Sequence, residues 1–268
     1  MLKTMPSPNR VVIVVRSLAP RRVALALAIV AGCLATAEAV RVSFAEDAAK
    51  AAAKTPEWKS LFDGKTLKNW KSSEFGGEGE VKVKDGMIVM QQGSEMTGVT
   101  WTGGDLPKIN YEISLMAQRI DGSDFFCGLT FPVKDDPCSF IIGGWGGGVV
   151  GISSLDGLDA ASNETSRYES FKKGVWYKIR LRVTEKGLMG WIDEKQVVGV
   201  ETKNRKISIR QEVELSRPLG VSCYSTVSGL KEIKLRELTK AEAEAAITTP
   251  ELPKDESAPA KKKEKKDK

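Results

Sequence analysis

The segment LFDGKTLKNW, residues 61–70, introduces a series of short segments with the sequence pattern of β-strands. The first complete hairpin is VKVKDGMIVM, residues 81–90, in which an Asp-Gly pair separates two strand-like runs. An Asp-Gly pair between such runs favours a two-residue turn that connects antiparallel strands. The folded part of the chain is therefore predicted to begin with β-structure.

The strand pattern continues to residue 238. In YKIRLRV, residues 177–183, apolar residues alternate with Lys or Arg, which is typical of a half-buried strand. No long helical period interrupts the series, and only a short helix is predicted, at residues 240–246. Many short strands with Gly- and Asp-rich turns predict an all-β sandwich or barrel. The other predicted strands are at residues 111–118, 125–133, 139–145, 188–193, 196–200, 218–225 and 229–238.

The N-terminal 45 residues have the composition of a secretory signal peptide, with basic residues before a short apolar run and small residues after it. Two processing sites remain open. The sequence Val-Ala-Gly-Cys that ends at Cys33 resembles a lipoprotein box, whereas residues 37–39 or 43–45 provide an ordinary cleavage site. We therefore expect an exported protein, periplasmic or in the cell envelope, that contacts the membrane only if Cys33 is lipidated.

Composition divides the chain into four regions: the signal peptide at 1–45, an Ala/Lys-rich linker at 46–56, one globular domain at 57–240 and a disordered, charged tail at 241–268. The formal charge of +6 is distributed as +5 in residues 1–45, +2 in residues 251–268 and −1 in between. Because the globular part is nearly neutral, the basic composition does not predict nucleic-acid binding.

The chain contains no histidine, which excludes Ser-His-Asp and Cys-His catalysis and imidazole metal ligands. Any catalysis must use carboxylates, Arg, Lys, Tyr or Cys. No CxxC motif and no calcium-loop pattern is present, so no metal and no cofactor is predicted. Cys127 and Cys138 lie on adjacent predicted strands, and either they form a disulfide or they are buried thiols, like Cys223.

Residues 141–151, IIGGWGGGVVG, surround one tryptophan with glycines. Glycines let a ligand or another backbone approach closely, and a tryptophan beside them can stack on the apolar face of a sugar ring. On this interpretation Trp145 binds substrate. On the other, the glycines form a tight hairpin and Trp145 belongs to the core.

A polar loop at residues 153–165 contains Asp159, Asn163 and Glu164. Asp159 and Asn163 suit hydrogen bonds to sugar hydroxyls, and Glu164 suits the role of a general acid or base. The alternative is a solvated surface loop with Asp and Asn at its turns.

Charged residues near two strands are further candidates. Arg119 and Asp124 flank a turn before the strand at 125–133, where Asp124 pairs in sequence with Asp121 as a candidate catalytic carboxylate. Arg180 lies on the polar face of the strand at 177–183 and binds a ligand oxygen if that face is concave. Otherwise these residues cap a turn and face solvent.

The first segment resembles the opening motif of the 3-keto-disaccharide hydrolase family. Four later segments, at residues 83–88, 174–179, 217–221 and 230–235, are similar to further motifs of that family in the same order. The resemblance implies a concanavalin A-like jelly roll of two antiparallel sheets, of which the concave one holds a sugar. It also implies cleavage of glycosides oxidised at C3. The residues that match the opening motif are Leu61, Phe62, Asp63, Gly64, Lys65, Leu67 and Trp70.

The chain departs from the family where function is expected. The family's N-S-G-I-x-F-R and Y-E-x-Q-I-x-D strands correspond here to FCGLTFP, residues 126–132, and CSFIIGG, residues 138–144. Their Arg, Glu and Gln have no counterpart, so no catalytic residue is carried over.

Two hypotheses follow, and both name a carbohydrate as the partner. In the first, the protein is a hydrolase or lyase of 3-keto-glycosides, with Glu164 or Asp124 as the base and Arg119 or Arg180 as the oxyanion stabiliser. In the second, it is a non-catalytic carbohydrate-binding or envelope module on the same scaffold, with Trp145 stacked on the sugar.

Overall fold

The computed structural model describes residues 56–250, which form a sandwich of two antiparallel β-sheets. Sheet I has eight strands in the order β13-β12-β11-β6-β15-β4-β3, with β1 paired to β15. Its strands are β1 (Lys59–Ser60), β3 (Val81–Lys84), β4 (Met87–Met90), β6 (Tyr111–Gly122), β11 (Tyr177–Val183), β12 (Gly187–Ile192), β13 (Lys195–Glu201) and β15 (Thr226–Glu237).

Sheet II has seven strands in the order β10-β9-β8-β7-β14-β5-β2. Within each sheet, neighbouring strands are antiparallel and form hydrogen bonds with each other. The strands of sheet II are β2 (Trp70–Ser72), β5 (Met96–Trp101), β7 (Cys127–Val133), β8 (Asp136–Gly144), β9 (Val149–Ser153), β10 (Arg167–Tyr168) and β14 (Gly220–Tyr224).

The core lies between the two sheets and is built by strand alternation. In β11, Ile179, Leu181 and Val183 point inward and are fully buried, whereas the Lys and Arg between them face outward. Sheet II contributes Phe131 and Phe140 from β7 and β8 to the same interior. Because successive side chains of a strand point to opposite faces, each sheet has one apolar inner face and one outer face.

The predicted hairpin at residues 81–90 is confirmed. β3 and β4 pair in register, and the turn residues Asp85 and Gly86 have φ angles of 50° and 78°. Positive φ at both central positions is the geometry of the turn that matches the twist of paired strands. The fold class, a jelly roll of two antiparallel sheets, is likewise confirmed.

Strand β5 was not predicted from the sequence. Its residues are buried on both faces, so the polar–apolar alternation that marks a half-exposed strand is missing. The cover on the outer face is a 3₁₀ helix, Gln211–Ser216, to which Thr100 of β5 donates a hydrogen bond of 2.7 Å at the carbonyl oxygen of Leu215.

The segment between β13 and β14 crosses the outer face of sheet II before it reaches the 3₁₀ helix. Backbone amides of Ser154 and Ser208 donate to each other's carbonyl oxygens at 2.7 and 3.2 Å, which fixes the crossing beside the end of β9. The crossing segment therefore places its residues 210–213 next to β8 and β9, although they are distant in sequence.

The short C-terminal helix, α1 (Lys240–Glu244), begins at Thr239 with a complete capping box to Glu242. Residues 241–250, which the sequence analysis assigns to the tail, form α1 and an extended segment whose Thr249 donates to the carbonyl oxygen of Gly199 in β13 at 3.2 Å. The predicted signal peptide, nearly all of the linker and the rest of the tail lie outside the described residues. Within residues 56–250, no helix is long and apolar enough to cross a membrane.

Candidate functional site

A pocket of about 410 Å³ opens on the outer face of sheet II. It lies between the middle of β8 and the ends of β5, β9 and β14 on one side and the crossing segment on the other. Its lining combines aromatic, small polar and charged side chains, which is the composition expected of a small-ligand site. The lining residues are Glu95, Met96, Asp124, Phe125, Ser139, Ile141, Trp145, Ser153, Arg210, Glu212, Val213 and Tyr224.

Aromatic rings form one rim of the pocket. Trp145 lies in the turn between β8 and β9, where its φ is 48°, and the residue is 43% exposed. Phe125 and Tyr224 stack nearby, with ring centroids 6.2 Å apart and planes at 23°. The glycine-rich segment is therefore a hairpin, as one interpretation held, but Trp145 projects from it into the pocket and does not join the core.

Two serines form a polar part of the floor. Ser139 of β8 and Ser153 of β9 face each other across the ladder. The Ser139 hydroxyl is within 3.0 Å of the Thr130 hydroxyl, whereas the Ser153 hydroxyl has no hydrogen-bond partner although the residue is only 1% exposed. A buried hydroxyl without a partner costs folding free energy, and a hydrogen bond to a ligand would offset that cost.

Asp124 supplies a fixed carboxylate at the aromatic rim. Its Oδ1 accepts the backbone N–H of Phe125 at 2.7 Å, and its Oδ2 accepts that of Gly146 at 2.9 Å. Each carboxylate oxygen can accept more than one hydrogen bond, so both keep capacity for a ligand. The same two bonds tie the β6–β7 loop to the hairpin that carries Trp145.

On the other side of the pocket, Arg210 provides a cation. It pairs with Glu212 at 2.5 Å and with Asp159 at 3.3 Å. The Arg210 guanidinium is the largest cause that holds the pKa of Glu212 below its ordinary value. Asp159, a predicted binding residue, thus touches the pocket through Arg210 and is not itself part of the lining.

Arg119 lies behind the aromatic rim, where it is 5% exposed. Its Nη2 donates to the carbonyl oxygens of Asp124, Gly143 and Gly147 at 2.9, 3.1 and 2.9 Å. Burial lowers the pKa of the guanidinium. Glycine is needed at 143 because a Cβ there would lie 2.6 Å from Nη2. Arg119 therefore holds both loops of the rim in place, and it does not line the pocket.

Glu164 lies outside the pocket. Its carboxylate pairs with Arg205, which also pairs with Asp156, and 52% of its side chain is exposed. The hydrogen bond from Arg205 is the main cause of a lowered pKa at Glu164. The structure therefore joins this candidate base to the crossing segment rather than to Trp145 or Asp124.

Asn163 is buried and organises the 153–165 loop. Its Nδ2 donates to the carbonyl oxygens of Ile152, Leu158 and Asp159 at 2.7 to 3.1 Å, and its Oδ1 accepts two hydrogen bonds from Thr165. These five bonds occupy the amide group, which leaves it no free donor for a sugar hydroxyl.

Arg180 lies on the outer face of sheet I, on the opposite side of the sandwich from the pocket. It pairs with Glu112 at 3.2 Å and covers the ring of Trp191 at 4.0 Å from the centroid. Arg180 was predicted to bind a ligand oxygen if its face of the sheet is concave, and the structure places it on the face opposite to the pocket.

The structure thus brings Asp124 and Trp145 together, places Arg119 and Asp159 one contact away, and separates Glu164, Asn163 and Arg180 from them. Other residues of the lining are not predicted from the sequence, among them Tyr224, Arg210, Glu212, Ser139 and Ser153. Tyr224 follows buried Cys223 in the alternation of β14, which is the one local signal that marks it as outward-facing. The others are recognised only once the crossing segment is placed.

The cysteines of the described region are free. Cys127, Cys138 and Cys223 are buried, which confirms the interpretation as packed thiols, and burial raises the pKa of Cys138 and of Cys223 to about 12. Within residues 56–250, no group of three or more Cys, Asp or Glu side chains is arranged to hold a metal ion.

Two antiparallel sheets with a ligand-sized pocket on one outer face define a jelly-roll β-sandwich of the kind predicted. Residues 57–236 match the 3-keto-alpha-glucoside-1,2-lyase-like domain, and the chain belongs to this family. The family resemblance inferred from the opening motif is thereby confirmed.

Solved structures with a related arrangement are similar at low sequence identity. A carbohydrate-binding module, CBM66 from Bacillus subtilis, is 7% identical with a TM-score of 0.42, over 67% of this chain and 100% of the module. A glycosyl hydrolase family protein from Mycobacterium fortuitum is 9% identical with a TM-score of 0.40, over 68% and 100%. The metal-free carbohydrate recognition domain of Emp46p is 15% identical with a TM-score of 0.43, over 65% and 90%. No curated protein matches the chain.

Proposed function

We propose that the protein binds a saccharide in the pocket on the outer face of sheet II. The observation that carries this proposal is the pairing of an exposed tryptophan, Trp145, with a buried, unpartnered hydroxyl at Ser153 in one pocket. A sugar ring has an apolar face that stacks on an aromatic side chain and an edge of hydroxyls that hydrogen-bond to polar groups. The pocket volume of about 410 Å³ lies in the range of small-ligand sites.

The family supports a particular ligand class. Because the chain belongs to the 3-keto-alpha-glucoside-1,2-lyase-like family, we expect a glucoside oxidised at C3 to be among its ligands. The hydroxyl of Ser153 and the guanidinium of Arg210 are donors for the ring oxygens and the ketone, and the carboxylate of Asp124 is an acceptor for a hydroxyl.

Binding is tested by replacing Trp145, and a variant of a second tryptophan serves as the control. Trp145→Ala removes the proposed stacking surface, whereas Trp58→Ala removes a tryptophan of similar exposure that packs on Arg236 of sheet I. Calorimetry with 3-keto-glucosides and their parent glucosides is expected to show roughly 5- to 150-fold weaker binding for Trp145→Ala only, since aromatic stacking contributes on the order of 1 to 3 kcal/mol. Equal affinity in both variants would place the ligand elsewhere.

A second function, elimination at the glycosidic bond, is favoured by the position of Asp124 beside Trp145. A ketone at C3 acidifies the hydrogen on C2. The Asp124 carboxylate takes that proton, the electron pair at C2 forms the C1=C2 double bond, and the glycosidic oxygen leaves C1 and is protonated to an alcohol. Addition of water to the unsaturated ketone then gives the free 3-keto sugar. No step in this sequence needs a histidine.

The chain's own donors stabilise the charge that develops on the C3 oxygen. Arg210 and the Ser153 hydroxyl both line the pocket. Hydrogen-bond donors aimed at a developing oxyanion typically supply the largest part of the rate enhancement in such reactions. Arg119 acts at one remove, because its hydrogen bonds go to the carbonyl groups of the loops that hold Asp124 and Trp145.

Catalysis is tested with two carboxylate variants. Release of free sugar from 3-keto-glycosides is expected to fall at least a hundredfold in Asp124→Asn, since a positioned base typically contributes about 10² to 10⁴ in rate. Glu164→Gln, whose carboxylate lies outside the pocket, is expected to leave turnover within about twofold. Saturable binding without turnover in the wild type would identify a binding module instead.

Export is a separate part of the proposal and depends on the N-terminal sequence alone. We propose that the chain is exported to the periplasm or cell envelope, with a lipid on Cys33 if the lipoprotein box is used. Fractionation of cells that express wild type and Cys33→Ala tests it. A wild-type protein in the membrane fraction that becomes soluble in the variant supports the lipid anchor, and retention of both in the cytoplasm contradicts export.

A further inference from the structure

The pocket on sheet II carries more negative than positive charge. Of its lining residues, Glu95, Asp124 and Glu212 are acidic, and Arg210 alone is basic. Arg210 is shared between Glu212 and Asp159, so its charge is already opposed by two carboxylates. Arg119 adds one buried cation behind the rim. Together with Asp159, four carboxylates stand against two guanidinium groups.

Neither guanidinium group brings an uncompensated positive charge to the open part of the pocket. Arg119 donates to backbone carbonyl oxygens, and Arg210 is engaged by carboxylates on both sides. Glu95 forms no ion pair among the described residues, and the two amides that bind Asp124 are neutral donors. A ligand in the pocket therefore meets exposed negative charge at Glu95 and Asp124.

The unpartnered hydroxyl of Ser153 shows independently that this acidic group surrounds a ligand site. Its Oγ is buried against a pocket wall and has neither a carbonyl nor a side-chain acceptor. Ile141 and Val213 line the same pocket and are buried, so part of its wall is apolar.

We infer that the pocket selects its saccharide by charge: it prefers a sugar that carries an ammonium group, an amino sugar, over the neutral equivalent, and it rejects uronates. This inference rests on the proposed saccharide binding at the same pocket. The ammonium group would donate hydrogen bonds to the Asp124 carboxylate, whose oxygens retain acceptor capacity, and Glu95 supplies the second negative charge.

The expected preference is moderate because the pocket is open to solvent. Two net negative charges at several ångströms, screened by water and by salt with a Debye length of about 8 Å, correspond to a preference of roughly 3- to 10-fold at physiological ionic strength. The preference should widen at low salt and shrink at high salt, whereas affinity for a neutral sugar should change little.

The experiment compares oligosaccharides of the same length that carry positive, zero or negative charge, and glucose oligomers of the same linkage separate the effect of charge from that of the N-acetyl group. Calorimetry on the full chain measures glucosamine oligomers, N-acetylglucosamine oligomers of the same length and galacturonate oligomers, with a 3-keto-glucoside as the reference ligand. Wild type is compared with Glu95→Gln and with Glu194→Gln, a control in the β12–β13 turn of sheet I whose side chain is 85% exposed. We expect the glucosamine oligomer to bind 3- to 10-fold tighter than the N-acetylated one, and Glu95→Gln alone to reduce that ratio at least twofold.

The outcomes separate this inference from the function on which it rests. Equal affinity for charged and neutral oligomers, with binding that still depends on Trp145, overturns the charge selection and leaves saccharide binding in place. Tightest binding of the uronate also overturns it. If neither the oligomers nor the 3-keto-glucoside bind, both the charge selection and the proposed saccharide binding are wrong.

Discussion

The two outer faces of the sandwich use charged residues in opposite ways. On sheet I, Glu112 is almost fully buried beneath three arginines, and its carboxylate contacts Arg180, Arg182 and Arg236 at 2.7 to 3.2 Å. Glu242 of α1 closes the cluster through Arg236 at 2.6 Å. On sheet II, the side chains in the pocket include an unpartnered hydroxyl, an exposed tryptophan and carboxylates that face the opening.

The difference teaches which polar residues are available for a ligand. On sheet I the carboxylates and arginines pair with each other. A Trp–Arg contact on that face therefore belongs to the packing of the sheet surface. On sheet II, backbone amides hold Asp124 in place while Ser153 stays without a partner. A residue type alone does not distinguish the two cases, and the completeness of its hydrogen bonds does.

The largest effect on stability is expected from removing the carboxylate at the centre of the charged cluster on sheet I. Glu112→Gln removes the carboxylate that three partly buried arginines share, and it should lower the free energy of unfolding by about 3 kcal/mol. Saccharide binding at the pocket should change less than twofold, because the cluster lies on the other face. Chemical denaturation and calorimetry measure the two quantities on the same sample.

The matched control for this variant is Glu232→Gln, which removes a carboxylate that pairs with Lys234 at 3.4 Å while both side chains are largely exposed. Such a surface pair contributes at most about 1 kcal/mol. A loss in Glu112→Gln as small as in the control would show that the arginines remain solvated, and the contrast between the faces would then disappear.

The next effect comes from the glycines that support the aromatic rim. Gly143 has a φ of +80°, and a Cβ there would lie 2.6 Å from Arg119 Nη2 and 3.1 Å from the ring of Phe126. Gly143→Ala should therefore cost about 2 to 3 kcal/mol and weaken saccharide binding roughly tenfold, because it displaces the guanidinium that holds the rim.

Gly146 offers a control in the same hairpin, with a φ of +84° and open space around the added Cβ. Gly146→Ala should cost only the conformational penalty, about 1 to 2 kcal/mol, and keep the affinity within about threefold. If both variants lose affinity equally, Arg119 has no special part in positioning Trp145, and backbone strain in the hairpin accounts for the loss.

Much of the fold could be predicted from the sequence because alternation and turn chemistry are local. Strand β11 and the Asp85-Gly86 turn each carry a complete signal within a few residues. Strand β5 carries none, because the 3₁₀ helix from more than a hundred residues later covers its outer face. Where burial comes from a distant segment, the strand loses the pattern by which it is recognised.

The site was less predictable for the same physical reason. Trp145 was identified because its glycines are adjacent in sequence. The polar loop around Glu164 favours a catalytic carboxylate, but the partner of Glu164, Arg205, lies 41 residues further along the chain and holds it outside the pocket. Arg210 and Ser153 come together only through the crossing segment, whose path no local pattern specifies.

Smaller and opposite effects are expected when either of two buried serines is replaced by alanine. Ser153→Ala removes a hydroxyl with no partner and should leave the free energy of unfolding within about 0.5 kcal/mol of wild type, while binding weakens about 3- to 10-fold. Ser228→Ala removes a hydroxyl that donates to the carbonyl oxygen of Phe126 at 2.6 Å. It should cost about 1 to 2 kcal/mol and leave affinity unchanged. The reverse result, with Ser153 the more important for stability, would mean that its hydroxyl is satisfied within the protein.

The smallest effect is the acid sensitivity of the sheet I face. The hydrogen bond from Arg236, with further bonds from Thr239, lowers the pKa of Glu242 from 4.5 to about 2. Since the folded-state pKa is below the unfolded value, this stabilisation is complete above pH 4.5 and is lost as the pH falls towards 2. Because the carboxylate is partly solvated, its contribution is discounted to about 1 kcal/mol.

Chemical denaturation at pH 7, 4.5 and 2.5 measures this dependence. The free energy of unfolding should fall less steeply with decreasing pH in Glu242→Gln than in wild type. Glu244→Gln, whose carboxylate is 3.9 Å from an exposed Lys240, should follow the wild type. An unchanged slope in Glu242→Gln would mean that the cluster on sheet I does not depend on α1 for its charge balance.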